Sequence, residues 1–180
     1  MLWGLYRVAA STNYNMTGRT YRNVDGDQQY QFGYGLSYSN FNYTNFTVTP
    51  STIAPCDSIQ ASVTVTNIAG PAGDEVIQLY VSPPRLNNAP YVQLRSYDRV
   101  SLQTSQSHVA TFELNPYLLS LVDEDGEHYI FPREYRVLTG NQPDSWIDDF
   151  NSMLKANVTI TGSAPVKTST CTSSPQCLAC

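Results

Sequence analysis

A chain of 180 residues with a net charge of −5 and 41 % hydrophobic residues is long enough for one domain with a real core plus appendages, and tight for two full domains. It has no run of Lys and Arg, which excludes the footprint of a nucleic-acid or anionic-membrane binder, and no apolar run approaches membrane-spanning length. A content of 13 Tyr against 3 Met favours strands and surfaces with aromatic ridges over a helical bundle.

Residues 1–37 show little alternation and many tyrosines, with a Gly-Tyr-Gly turn at Gly33 to Gly35, and read as a linker laid over another surface. Their first ten residues, MLWGLYRVAA, have no basic leading segment and are interrupted by Arg7, so they make a poor signal peptide, and Met1 is not established as the true start. Phe41, Tyr43, Phe46 and Val48 begin a strand pattern whose phase slips between Tyr43 and Phe46, which requires a bulge or a bend. Pro50 and Pro55 bracket a turn. Ile59, Ala61, Val63 and Val65 then alternate with Gln60, Ser62, Thr64 and Thr66, one row inward and one toward water. Gly70, Pro71 and Gly73 supply the positive φ and fixed φ of the next loop. Val76 to Val81 is apolar on both faces: Ile77, Leu79 and Val81 suit the core, while Val76 and Tyr80 cover the other side, as in a central strand lying under something.

Pro83-Pro84 ends that strand by removing donors. Val92 to Leu102 and His108 to Leu114 resume strand character, and Asn115-Pro116 with Tyr117, Leu118 and Leu119 suits a single helical turn, Asn capping and Pro first. Asp123 to Gly126 reads as a hairpin tip, and Glu134 to Thr139 as a strand with Tyr135 and Val137 on one face. Trp146, Ile147, Phe150 and Leu154 predict a short amphipathic helix over 143–154, and Val158 and Ile160 a last strand. About seven short strands separated by Gly, Pro and Asn turns imply an all-β, two-sheet sandwich of the immunoglobulin or fibronectin type III kind over residues 38–162, with Tyr135 as its tyrosine corner. Residues 163–180 are rich in Ser, Thr and Pro with three cysteines, and read as a disordered, flexible tail.

The segments GRTYR (Gly18 to Arg22), FGYGLSY (Phe32 to Tyr38) and AGDEVIQLYVS (Ala72 to Ser82) occur in that order, followed by VQLRSYDRVSL (Val92 to Leu102), VATFELNPYLLSLVDEDG (Val109 to Gly126) and EYRVLTG (Glu134 to Gly140). As a set, over roughly residues 14 to 140, they resemble the C-terminal part of family 3 glycoside hydrolases, the β-glucosidase and β-xylosidase group, with GRTYR nearer the β-xylosidase branch. The resemblance implies a fibronectin III-like module that follows a barrel and an α/β domain in the full enzymes. The nucleophilic Asp sits on the barrel and the acid/base carboxylate on the α/β layer, so no residue of this chain inherits either role. Three positions depart from the family pattern: Gln93 for a basic residue, Ser96 for a Gly, and Arg133 for the Gly of a Pro-Gly turn.

Glycoside hydrolysis needs two carboxyl groups at a fixed separation in a cleft, one of them protonated near neutral pH. Asp123, Glu124, Asp125 and Glu127 crowd together on a hairpin tip, where solvent holds carboxylates near their reference behaviour, and Asp148 and Asp149 read as the polar face of their helix. Asp-x-Asp-Gly lacks the twelfth-position Glu of a calcium loop. His108 and His128 have no nucleophile motif beside them, and the cysteines no zinc spacing. No metal and no cofactor is expected. Cys56, Cys171, Cys177 and Cys180 allow three pairings, each of which staples the tail onto the body through Cys56 while the other two pair locally. Asn15, Asn42, Asn45 and Asn157 are Asn-x-Thr sequons, which point to a secreted or lumenal protein; the prenylation-like end Cys177-Leu-Ala-Cys180 belongs to the opposite side of a membrane.

The expectation is therefore a non-catalytic module, a fragment or relic that stabilises or docks to hydrolase domains in cis or trans. Tyr14, Tyr21, Tyr30, Tyr34 and Tyr38 are its docking or stacking residues. The alternatives are a secreted module that binds polysaccharide or protein through those rings, and an accessory subunit of a separately encoded glycosidase.

Overall fold

The computed structural model describes residues 18–23, 30, 32–86, 89–140 and 153–171. Eleven strands run through them in chain order: β1 (Asn40–Thr49), β2 (Thr52–Ile53), β3 (Ile59–Ala69), β4 (Gly73–Ser82), β5 (Gln93–Leu102), β6 (Ser107–Leu114), β7 (Leu121–Val122), β8 (His128–Ile130), β9 (Glu134–Gly140), β10 (Leu154–Ile160) and β11 (Val166–Lys167). They form three sheets, with strand orders β1-β3-β6, β2-β10-β9-β4-β5 and β11-β8-β7. The domain is all-β. The count exceeds the expected seven because β2, β7, β8 and β11, two or three residues each, carry no alternation that a sequence window registers.

The period of two in β3 is realised as Ile59, Ala61, Val63 and Val65 fully inside. Ala110, Phe112 and Leu114 of β6 face the same way, opposite Ile77, Leu79 and Val81 of β4, Tyr135 and Val137 of β9, and Val158 and Ile160 of β10, in one apolar core. Burial of such rows is what holds the two larger sheets together, at about 1.5–3 kcal/mol per large side chain. The phase slip in β1 is a bulge: the register with β3 shifts between Thr44 and Thr47, and Asn45 adopts φ 52°, a left-handed conformation that Asn tolerates better than branched residues. Asn115 caps a four-residue helix, α2 (Pro116–Leu119), its Oδ1 accepting from the Leu118 N–H at 3.0 Å. Tyr135 is buried and its hydroxyl accepts from the N–H of Phe131, four residues upstream, at 3.1 Å, the backbone tie that defines a tyrosine corner.

A second apolar cluster, Tyr80, Val92, Leu138 and Met153, lies on the opposite face of the five-stranded sheet. The cover over β4 is thus real at Tyr80 but stops short of Val76, which is 41 % exposed. Two further expectations change. The tail is not unpacked from residue 163: β11 pairs antiparallel with β8, and Cys171 is buried in a disulfide with Cys56. A covalent tie and two strand residues hold a segment whose composition alone reads as disordered. The helix expected over 143–154 falls, up to residue 152, outside the described residues; Leu154 opens β10, paired with Thr139.

Candidate docking surface

The segment ahead of β1 lies on the face of the five-stranded sheet that carries the second cluster. A single turn, α1 (Thr20–Asn23), presents Tyr21 to β5, where its hydroxyl accepts from the Leu94 N–H at 3.1 Å. The Tyr21 ring stacks on Phe32, centroids 4.1 Å apart, and meets Tyr80 edge-on at 6.5 Å. Arg22 anchors the same turn twice: its carbonyl accepts from the Tyr91 N–H at 2.7 Å and its Nη2 donates to Gln93 Oε1 at 2.7 Å. A basic residue in place of Gln93 would repel that guanidinium, so this departure from the family pattern has a local reason. Gly33 lies at φ +88°, a conformation that favours Gly, and a Cβ there would stand 2.8 Å from Gln78 Oε1, the movable end of a flexible side chain.

Beyond this anchor the rings turn outward. Tyr30, Tyr34, Leu36 and Tyr38 are 64, 46, 90 and 96 % exposed. Tyr30 and Tyr34 tilt against one another with centroids 5.0 Å apart. Tyr38 is held out by the backbone beneath it: Ser39 Oγ donates to the Pro71 carbonyl at 2.7 Å, and Gly70, φ +93°, allows the Tyr38 carbonyl to lie where any Cβ would be only 2.3 Å away. Of the five tyrosines singled out in the sequence, Tyr21 is therefore engaged within the chain, Tyr30, Tyr34 and Tyr38 form an exposed stripe, and Tyr14 lies outside the described residues.

Among the described residues the carboxylates do not converge. Asp123 Oδ1 accepts from the N–H groups of Asp125 and Glu127 at 3.0 and 2.8 Å, an Asx-type turn at the β7–β8 tip, and Glu127 pairs with Lys167 at 3.1 Å. Asp148 and Asp149 lie outside the described residues. Glu75 accepts from the Tyr43 hydroxyl at 2.6 Å, and burial raises its pKa above the ordinary range, against a smaller lowering by that hydrogen bond. Asp74, an exposed side chain, is bonded by Ser101 and Arg99, which lower its pKa. Among the described residues no three His, Cys, Asp or Glu side chains gather as a metal site. His108 is 3.7 Å from Asp98 across β5 and β6. His128 stacks on Tyr117 and meets Ser120 Oγ at 2.9 Å; since that hydroxyl donates to the Tyr117 carbonyl, Nδ1 is left as the donor.

Cys56 and Cys171 are joined with Cα atoms 5.3 Å apart across 115 residues, while Cys177 and Cys180 lie outside the described residues. Asn42, Asn45 and Asn157 are all exposed on strands, and Asn15 lies outside the described residues. One group escaped the sequence reading. In β5 Leu79 and Tyr80 of β4 face Ser96 and Leu94, so Arg95 is the extra residue of a bulge. Its Nη2 donates to the Ser120 carbonyl at 2.8 Å, its Nε is enclosed without an acceptor among the described residues, and burial, then the charge of Arg22, pull its pKa down to about 10. The only signal for it was the cluster of departures at Gln93 and Ser96 on either side.

Residues 75–142 match the fibronectin type III-like domain family. The chain is 33 % identical over 129 residues to a xylan 1,4-β-xylosidase of Xylanibacter ruminicola, an alignment with 71 % of this chain and 15 % of that enzyme. A probable β-glucosidase H of Emericella nidulans is 31 % identical over 129 residues, 70 % of this chain and 16 % of the relative. Among solved structures, a β-glucosidase from Erythrobacter marinus superposes with a TM-score of 0.67 at 28 % identity, covering 78 % of this chain and 18 % of that one. One from Listeria innocua, in complex with gluconolactone, gives 0.64 at 30 %, covering 76 % and 18 %. The chain thus spans less than a fifth of the length of these relatives.

Proposed function

Residues 75–142 form a fibronectin type III-like domain homologous to the C-terminal region of family 3 β-xylosidases and β-glucosidases, and from that premise we propose that the chain is the non-catalytic module of such a hydrolase, made to pack against its catalytic domains. The observation that carries this is the run of Tyr30, Phe32, Tyr34, Leu36 and Tyr38, five large apolar side chains left exposed within nine residues just ahead of β1. Exposed apolar surface so concentrated marks an interface. The seven strands of seven residues or more, in two of the sheets, we read as a two-sheet sandwich of the fibronectin type III kind. Residues 1–37 then serve as the joint to an α/β domain, 38–162 as the sandwich, and 163–180 as a tail whose first part is tied down by Cys171.

Exposed sequons at Asn42, Asn45 and Asn157 and the disulfide support a secreted or lumenal location. The test of the main reading is to mix the chain with a family 3 hydrolase lacking its own fibronectin III-like region. Complex formation that weakens when Tyr34 and Tyr38 are replaced by Ser supports it, together with no hydrolysis of aryl β-xylosides or β-glucosides by the chain alone. Hydrolysis at enzyme-like rates in a contaminant-controlled preparation, or the absence of any complex, overturns it. A second reading rests on the Tyr30–Tyr34 pair, whose open faces suit stacking on sugar rings; titration with xylan and cellulose distinguishes it, since a docking surface leaves both unbound. Co-purification with a two-domain hydrolase from the native source marks an accessory subunit.

A further inference from the structure

A groove opens beside the anchored turn, between α1 and the tip of the β7–β8 hairpin, with Arg22, Gln93 and Arg95 on one side and Leu121, Phe131 and Pro90 among its walls. Three independent features converge there. Arg95 is the extra residue of the β5 bulge, an arrangement that re-aims a side chain away from the sheet's regular alternation. Arg22 is brought beside it by the Tyr91 and Gln93 contacts, and its guanidinium raises the cost of the charge on Arg95. Neither is bonded to a carboxylate among the described residues: Arg22 donates to an amide oxygen and Arg95 to a carbonyl, and Arg95 Nε has no acceptor. Arg95 is half-buried against apolar walls while Arg22 is exposed at the groove's rim, and a half-buried charge such as that of Arg95 is costly unless an anion completes it. The rim carboxylates are differently placed. Asp123 is taken up by its own turn and Glu124 is exposed at the tip.

We propose that this groove receives the side-chain carboxylate of an Asp or Glu of the hydrolase domain, held by Arg95 and Arg22 as a charge-assisted pair. The inference rests on the docking reading above and gives that interface its polar centre, with the aromatic stripe as its apolar part.

The experiment has two arms, both on the full chain. In the first, the Arg Nε–H resonances are followed by NMR during titration with propionate and with propionamide, its neutral counterpart. A saturable shift of the Arg95 resonance with propionate only, lost in Arg22→Gln and reduced by salt, is expected. Equal response to both probes, no response, or an equivalent displacement of that resonance by Asp123→Asn or Glu124→Gln overturns the proposal, the last because the chain's own carboxylate would then fill the groove. In the second arm, binding to hydrolase domains lacking their own module is measured for the unmodified chain, Arg95→Lys, Arg95→Gln and Arg22→Gln. Loss of about tenfold or more in Arg22→Gln and Arg95→Gln is expected, with part of it restored in Arg95→Lys. Unchanged affinity in both Arg22→Gln and Arg95→Gln overturns the carboxylate proposal while docking stands. No binding by the unmodified chain overturns docking and the occupant named here together.

Discussion

Tyr21 lies flat on Phe32, ring planes within 14° and centroids 4.1 Å apart, and its hydroxyl accepts a backbone N–H from Leu94 on β5. One side chain thus fastens the segment ahead of the domain to the outer face of the sheet, over Tyr80 and Leu138. Replacing it with Ala removes a ring contact and leaves a backbone donor open, at a cost of about 2–3 kcal/mol. Tyr21→Phe keeps the stack and costs about 1 kcal/mol through the lost hydrogen bond. Urea denaturation of the two variants checks the order, and equal stabilities of the two would show that the ring contact carries nothing.

The disulfide between Cys56 and Cys171 closes a loop of 115 residues. Replacing both cysteines with Ser is expected to cost about 2–5 kcal/mol, mainly by freeing the unfolded chain. The loss is local as well as global, because β11 is held to β8 by only two paired residues. Hydrogen exchange in the variant should rise first over residues 166–170, and a uniform change along the chain would contradict that placement.

Glu75 gives a pH signature with a definite sign. Its folded-state pKa is raised, by burial before anything else, above its ordinary value of 4.5, so between those two values the folded state holds more protons than the unfolded one. Stability from this group is fully present below the ordinary value and is lost as pH rises through the folded one. Glu75→Gln keeps an acceptor for the Tyr43 hydroxyl without the charge. The variant should therefore gain on the parent protein as pH rises from 4 toward neutrality. Paired thermal melts across that range test it, and a difference that runs the other way would falsify the burial argument.

Asn45 occupies the β1 bulge at φ 52°. Asn45→Gly should be tolerated with little loss, whereas Asn45→Val forces a branched residue into the left-handed region and costs about 1–2 kcal/mol. Both substitutions remove the same sequon, so a difference in melting temperature between them isolates backbone strain from any effect of a glycan.

Much of the fold was legible in advance because one buried face specifies a strand. Ile59 to Val65 could sit in no other phase without exposing four apolar side chains, and the slip between Tyr43 and Phe46 already required the bulge that Asn45 forms. The family resemblance reached the module itself through segments that the strands and turns preserve. The candidate surface was legible only as a collection of tyrosines. Tyr21 and Tyr34 look alike in the sequence, yet one is clamped between Phe32 and Tyr80 and the other half-exposed beside Tyr30.

By itself, then, the sequence determined the alternation, the turns and the all-β character, since these follow from residue order over a few positions. Which rings are covered, which cysteine finds Cys56, and that Arg95 drops out of register opposite Leu79 and Tyr80 were decided by the tertiary structure. Each of those depends on a partner strand or segment tens of residues away, and a contact of that kind has no local period to announce it.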